Sequence, residues 1–240
     1  MSTRLTRRQS LGALGLAGAS LLLGRAASGD APEEALAASC TLTPAQEEGP
    51  FYVDLGRVRS TIAGNRKGVP LDLRITVVDA GSCKPISGAA VDIWHADAVG
   101  RYSDESSNGT SGQTWLRGIQ ITDGAGVATF KTIYPGFYQG RAPHIHVKVH
   151  VGGKRSGSTY TGGHVSHTGQ LFLPESTSST VYRRTPYTSD RYTRTYRADD
   201  RIYTGQHGSS AVLRITTLGS LSSKGLGGTV TLGVDPAATA

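Results

Sequence analysis

The chain has 240 residues, 37% of them hydrophobic and 32 of them glycine, with a formal net charge of +7 and no stretch that resembles a repeat. That suffices for one well-packed domain of β type once the N-terminus is set aside. Residues 38–240 carry 21 basic and 15 acidic residues, scattered except for Arg183-Arg184 and the series Arg191, Arg194, Arg197 and Arg201. Tyr182, Tyr187, Tyr192 and Tyr196 interleave with that series, but no recognisable nucleic-acid-binding motif accompanies it, so the excess reads as a solvated surface with no nucleic-acid partner.

The first segment, residues 1–37, reads as an address. Thr6-Arg7-Arg8-Gln9-Ser10-Leu11 resembles a twin-arginine export signal, and Ala35-Leu36-Ala37 fits a small-residue cleavage site, better than the Arg25-Ala26-Ala27 region does. The small, apolar, Gly-rich run Leu11–Leu23 between them is too short to span a bilayer, so no stable membrane anchor is expected. Ala38-Ser39-Cys40 could be read as a lipid-attachment site, but the apolar run ends too far upstream to favour it. A secreted or extracytoplasmic mature domain over 38–240 follows. Its two cysteines, Cys40 and Cys83, are then expected to form one disulfide. On the chain-entropy view, closing that loop stabilises the fold by roughly 4 kcal/mol.

From residue 70 the chain reads as strand after strand. Leu71–Val78 alternates apolar and polar side chains, and Ala89–Trp94 follows the Ser87-Gly88 turn. Gly118–Thr122 and Gly126–Thr132 flank Asp123-Gly124-Ala125, a hairpin signal. His144–Val151, Gln170–Leu173, Ala211–Leu218 and Gly228–Val234 complete the set, and no long stretch has helical period. The expected fold is all-β, an antiparallel β-sandwich with long functional loops. Residues 174–210, rich in Tyr, Arg, Ser and Thr, read as an excursion over the surface or toward a subunit partner.

His144 and His146 carry the strongest chemical signal. Side chains two apart on a strand leave from the same face, so the two imidazoles can converge on one point. Tyr138 lies six residues and Arg141 three residues upstream of His144. Two neutral nitrogen donors with a phenolate-capable oxygen suit a metal harder than zinc. His164 and His167 form a rival pair in a Gly/Ser-rich stretch and read as a surface loop. Trp94, Trp115 and His95 read as core or ring-support residues, and Tyr134 as a packing residue.

Several motifs then carry a family resemblance in order along the chain. Glu48-Gly49-Pro50-Phe51-Tyr52, the run Gly88–Asp97 with Val-Asp-Ile-Trp-His-Ala-Asp at its end, Gly100-Arg101-Tyr102-Ser103, Arg117–Asp123, the Tyr-Pro-Gly-Phe-Tyr run at 134–138, and Arg141–His146 together resemble intradiol ring-cleavage dioxygenases. The likeness runs from about Cys40 to Leu173, closest to the exported branch of that family, and is loose in the C-terminal third. It implies one non-haem iron(III) per chain, held by Tyr102, Tyr138, His144 and His146, with Tyr138 and His144 axial. It further implies that Arg141 stabilises charge on the bound ring, that Gln170 is the active-site glutamine and that Tyr52 lines the pocket. The implied reaction opens catechol-type rings with O₂ to cis,cis-muconate-type diacids, and a homodimer is common in the family. The competing expectation is a non-catalytic transthyretin-like sandwich that binds carbohydrate or protein. It rests on Pro85-Ile86-Ser87-Gly88-Ala89-Ala90-Val91 and gives no reason for the four candidate ligands.

Overall fold

A computed structural model describes residues 40–239; the export segment expected over 1–37 lies outside them. Ten strands run in chain order as β1 (Pro70–Asp79), β2 (Ala90–Trp94), β3 (Arg117–Ile121), β4 (Val127–Ile133), β5 (His144–Val151), β6 (Lys154–Ser156), β7 (Thr159–Thr161), β8 (His164–Phe172), β9 (Arg214–Thr217) and β10 (Leu226–Val234). They make two four-stranded sheets, ordered β4-β1-β10-β9 and β3-β2-β5-β8, with β6-β7 as a separate hairpin. The sandwich is antiparallel except where β1 and β10 run parallel at the centre of the first sheet.

The core lies between the sheets and follows the period-2 pattern. Leu71, Leu73, Ile75 and Val77 of β1 face Val91 and Ile93 of β2 and Ile145, Val147 and Val149 of β5 in one buried cluster. Each such side chain contributes about 1.5–3 kcal/mol by leaving water. Cys40 and Cys83 are disulfide-bonded with Cα atoms 5.1 Å apart, an ordinary separation for the bond. The bond anchors the start of an N-terminal arm. Thr43 N–H donates to Gly233 O at 2.8 Å and Gln46 N–H to Thr168 O at 2.9 Å, so the arm passes from one sheet to the other.

Three expectations need correction. The Asp123-Gly124-Ala125 turn forms, with the Asp123 carboxylate accepting from Ala125 N–H at 2.9 Å and Val127 N–H at 3.0 Å. It does not close a hairpin, because β3 pairs with β2 in one sheet and β4 with β1 in the other. A local turn signal cannot report which sheet each strand joins. His164 and His167 are not in a surface loop. They stand on β8, where His167 registers against Val149 and is 3% exposed, and burial pushes its imidazole down to about 4. The glycines before β8 mark the turns at Gly157 and Gly162-Gly163, at positive φ, and the strand starts only after them. Third, the Arg/Tyr series is not all solvated surface. The excursion holds the short helices α1 (Glu175–Val181) and α2 (Arg201–Gly205), and Glu175 pairs with both Arg194 and Arg197, Arg194 being largely buried. Arg194 also lies over the Tyr182 and Tyr196 rings, so much of the interleaved Arg/Tyr series staples the excursion to itself. Among the described residues no helix is long and apolar enough to cross a membrane.

Candidate active site

The outer face of the β3-β2-β5-β8 sheet carries a row of polar and aromatic side chains at one level. Cross-strand register places Arg117 opposite Trp94, Trp94 opposite His146, and His146 opposite Gln170. Register partners share a face, so one strand position on each of four strands aims its side chain at the same layer. The Trp94 indole stacks on the His146 imidazole, with centroids 4.7 Å apart and planes within 5°. That fixes the His146 ring plane.

Loops bring in the two phenols. After β2, the Asp97 carboxylate accepts from Val99 N–H and Arg101 N–H, both at 3.0 Å, and turns the chain back toward the sheet. Gly136 N–H from the β4–β5 loop donates to Asp97 O at 3.0 Å, which docks the two loops together. Gly100 makes the junction close: its φ is +78°, and a Cβ there would run into Phe137 O. Tyr102 and Tyr138 end with ring centroids 5.7 Å apart. Thr110 Oγ1–H holds Tyr102 O at 2.7 Å.

Tyr102, Tyr138, His144 and His146 therefore come together, as their motifs implied. His144 Nε2 stands 3.0 Å from His146 Nε2 and 3.4 Å from Tyr138 Oη. The His144 Nδ1 contact with Ala142 O, at 2.6 Å, must be an N–H donation, because a carbonyl only accepts; Nε2 then keeps its lone pair. Burial pushes His144 down to about 3, with the Arg141 charge adding to it, and holds His146 well below the usual imidazole range. Both are neutral donors. Burial raises both phenols, Tyr102 strongly. Among the described residues the buried Tyr102 hydroxyl has no hydrogen-bond partner. Three of the four side chains are buried, and Tyr138 is half-buried.

Arg141 lies beside them. Its Nη1–H reaches Tyr138 Oη at 3.4 Å, its Nη2–H donates to Gln170 Oε1, and its Nε–H donates to Asp200 Oδ2 at 3.0 Å. Gln170 is fully buried and touches the cluster through Arg141; its Nε2–H donates to Glu47 O at 2.9 Å. Tyr52 stands one ring further out. It packs on Trp94 with centroids 4.8 Å apart, and its hydroxyl donates to Asp92 at 3.2 Å. Lys148 Nζ lies 3.7 Å from the Tyr52 ring centroid and pairs with Glu48. Burial raises Asp92 to about 7, against the Tyr52 hydrogen bond and the Lys148 charge.

Sequence reasoning missed three contributors. Phe51, rather than Tyr52, is the arm residue on the phenols, stacked on Tyr102 at 4.3 Å and edge-on to Tyr138 at 5.7 Å. Gly49, at φ +74°, puts the arm so close that a Cβ would lie 3.2 Å from His146 Cε1. Asp200 comes from the excursion. The first two sit inside the quoted Glu48–Tyr52 motif, and Asp200 has no local sequence signal beyond a helix cap.

Known proteins share this fold. The family model described as dioxygenase matches residues 47–156. An intradiol ring-cleavage dioxygenase from Tetranychus urticae is 33% identical and superposes with a TM-score of 0.73, covering 84% of this chain and 98% of that one. This chain belongs to the intradiol ring-cleavage dioxygenases. Catechol 1,2-dioxygenase from Acinetobacter baylyi is 36% identical over 101 residues, 40% of this chain and 32% of that protein, so the match spans about a third of its length. The dioxygenase domain of a dioxygenase carbohydrate-binding protein fusion from Streptomyces sp. SirexAA-E is 26% identical, with a TM-score of 0.57 over 80% of this chain and 96% of that one. The family match sets aside the reading as a non-catalytic transthyretin-like binding module.

Proposed function

We propose that this chain is an iron(III)-dependent dioxygenase that opens catechol-type rings between the two hydroxyl-bearing carbons. Both atoms of O₂ enter the product, so that C₆H₆O₂ and O₂ give C₆H₆O₄, a cis,cis-muconate-type diacid. The observation that carries the reading is one cluster in which His144 Nε2 stands 3.0 Å from His146 Nε2 and 3.4 Å from Tyr138 Oη, with the Tyr102 ring centroid 5.7 Å from that of Tyr138. The donor chemistry fits iron(III). Two neutral imidazoles and two phenols contribute two negative charges once ionised, and hard anionic oxygens favour the ferric state. The Tyr102 hydroxyl supports it too, since a buried polar atom left without a partner costs about 1–3 kcal/mol and a cation would relieve that. Those four residues would hold the ion. Bound there, iron(III) supplies Lewis acidity toward the catechol oxygens and makes the ring reactive toward O₂.

The chain's own residues do the rest. Tyr138 is the most accessible of the four, so its Oη takes up a catechol proton as substrate enters. Arg141, with Nη1 at 3.4 Å from that oxygen, stabilises negative charge as it develops on the ring. Gln170 orients Arg141, and Phe51 and Trp94 wall the cluster off from water. Tyr52 backs that wall. The Cys40–Cys83 disulfide and the twin-arginine motif support export of residues 38–240 after loss of 1–37. Purified mature protein loaded with iron should be reddish from tyrosinate-to-iron charge transfer, hold one iron per chain and consume O₂ one-for-one with catechol. A colourless protein that takes up no iron and turns over no catechol would overturn the reading.

A further inference from the structure

We propose that Asp200 is the positioning residue for Arg141, and that the excursion over residues 174–210 serves to deliver it. The inference rests on the function proposed above and extends it to a part of the chain where the likeness to the family's motifs is loose.

Asp200 has a fully buried side chain. Its two oxygens divide their work. Oδ1 accepts the N–H groups of Ile202 at 2.7 Å and Tyr203 at 3.1 Å and so caps α2. Oδ2 accepts Ala142 N–H at 2.7 Å and Arg141 Nε–H at 3.0 Å. Among the described residues Arg141 has no other carboxylate at ion-pair distance. A guanidinium is planar, so fixing Nε on Asp200 and Nη2 on Gln170 fixes the plane and thereby the direction of Nη1, which faces Tyr138 Oη. Remove the Asp200 contact and only the Gln170 amide and the 3.4 Å contact with Tyr138 Oη are left to hold a long, flexible side chain.

The anchors on either side of Arg141 are themselves joined. Gln170 is held by the arm through Gln46 Oε1, which accepts Gln170 N–H at 2.8 Å, and through Glu47 O. The arm is held by Gln206, just past α2: Gln206 O accepts Gln46 Nε2–H at 3.0 Å and Gln206 Oε1 accepts Glu47 N–H at 2.9 Å. Arg201 pairs with Glu47 at 3.0 Å. One end of the excursion thus sets both partners of Arg141, one directly and one through the arm.

The two-oxygen division dictates the test. Asp200→Asn keeps an oxygen for the cap, but its NH₂ then meets the Arg141 and Ala142 donors head-on. Asp200→Ser also caps well and deletes the second oxygen. Iron content, melting temperature, kcat and KM for catechol, and affinity for 4-nitrocatechol under argon are measured for wild type, Asp200→Asn, Asp200→Ser, Arg141→Ala and the double variant Arg141→Ala/Asp200→Asn. The expected result is iron content as in wild type, KM and 4-nitrocatechol affinity within about threefold, and kcat down by about 10- to 100-fold in both Asp200 variants, as for other misplaced catalytic groups. In the Arg141→Ala background, Asp200→Asn should lower kcat no further. A merely structural carboxylate would cost the same factor in both backgrounds, and that outcome overturns the proposal. So does unchanged kcat in Asp200→Asn, a parallel loss of 4-nitrocatechol affinity, or failure of both Asp200 variants to fold. An inactive, iron-free wild type instead removes the proposed function itself, before any variant is compared.

Discussion

The outer faces of the two sheets make opposite use of the same strand geometry. On β1, Asp72 and Arg74 point to solvent between the buried Leu71, Leu73 and Ile75, as a half-exposed strand does. On β5, His144, His146 and Lys148 occupy the equivalent outward positions and are buried too, like Ile145 and Val147 between them. The difference is what lies on top. Nothing in the excursion covers Asp72 and Arg74, whereas the arm at residues 46–52 and the loops bearing Tyr102, Tyr138 and Arg141 roof the other sheet. A polar face that is roofed loses its water, so its imidazoles stay neutral and its phenols hold their protons more tightly. A solvated face acquires no such chemistry. The contrast teaches that reactivity here comes from covering a sheet face, and each part of it can be broken.

The largest effect is expected at the ligands. His146→Ala and Tyr102→Phe each remove one donor from the roofed face, and both should leave the protein without bound iron, without colour and without turnover, as read by metal analysis and O₂ uptake. Next comes Arg141→Ala, which should keep iron while turnover falls by about 10²- to 10³-fold, the usual effect of deleting a positioned electrostatic group. Its melting temperature should fall as well, because buried Asp200 loses its cation. Arg141→Lys should recover part of the rate and no more, since a point charge does not reproduce a planar fork.

A milder lesion tests the roof itself. Gly49→Ala forces a side chain at positive φ against His146 and should destabilise by roughly 1 kcal/mol, with a several-fold loss of turnover from a lifted arm. Asp92 tests the loss of water by pH. Its carboxyl is raised to about 7 in the fold, so the native state holds that proton more tightly than the unfolded chain does. Stability from this group is greatest at low pH and is lost as pH rises from about 4 to about 7, where native Asp92 must ionise beneath Tyr52 and beside Lys148, Arg117 and Asp54. Asp92→Asn should remove that slope, seen as a melting-temperature difference from wild type that shifts in the variant's favour between pH 5 and pH 8. The smallest effect belongs to the other sheet: Arg74→Ala should change stability by no more than about 0.5 kcal/mol and leave iron and turnover alone, which thermal melts and O₂ uptake would show.

Much of the architecture could be read from periodicity. β1, β2, β5 and β10 fall where alternation and turn residues put them, because the pleat makes every second side chain face the core and that demand is written locally. The grouping of Tyr102, Tyr138, His144 and His146 was legible only through several motifs in fixed order, since no spacing rule links a phenol after β2 to one before β5.

What the sequence by itself determined was each strand's two faces and the shared face of His144 and His146; the Cys40–Cys83 bond was an expectation that the fold meets by bringing the two Cα atoms to 5.1 Å. Which sheet a strand joins was not so determined: the turn at Asp123 looks alike whether the chain folds back or crosses to the other sheet, and the parallel β1–β10 pair is set by contacts far apart in the chain. Nor was the burial of His167, which depends on β8 docking along β5. Asp200 is the clearest case. Its sequence neighbours show only a helix cap, and its second oxygen gains its partner when the fold carries Arg141 to it, because an ion pair is defined by position in space and leaves no periodic mark on the chain.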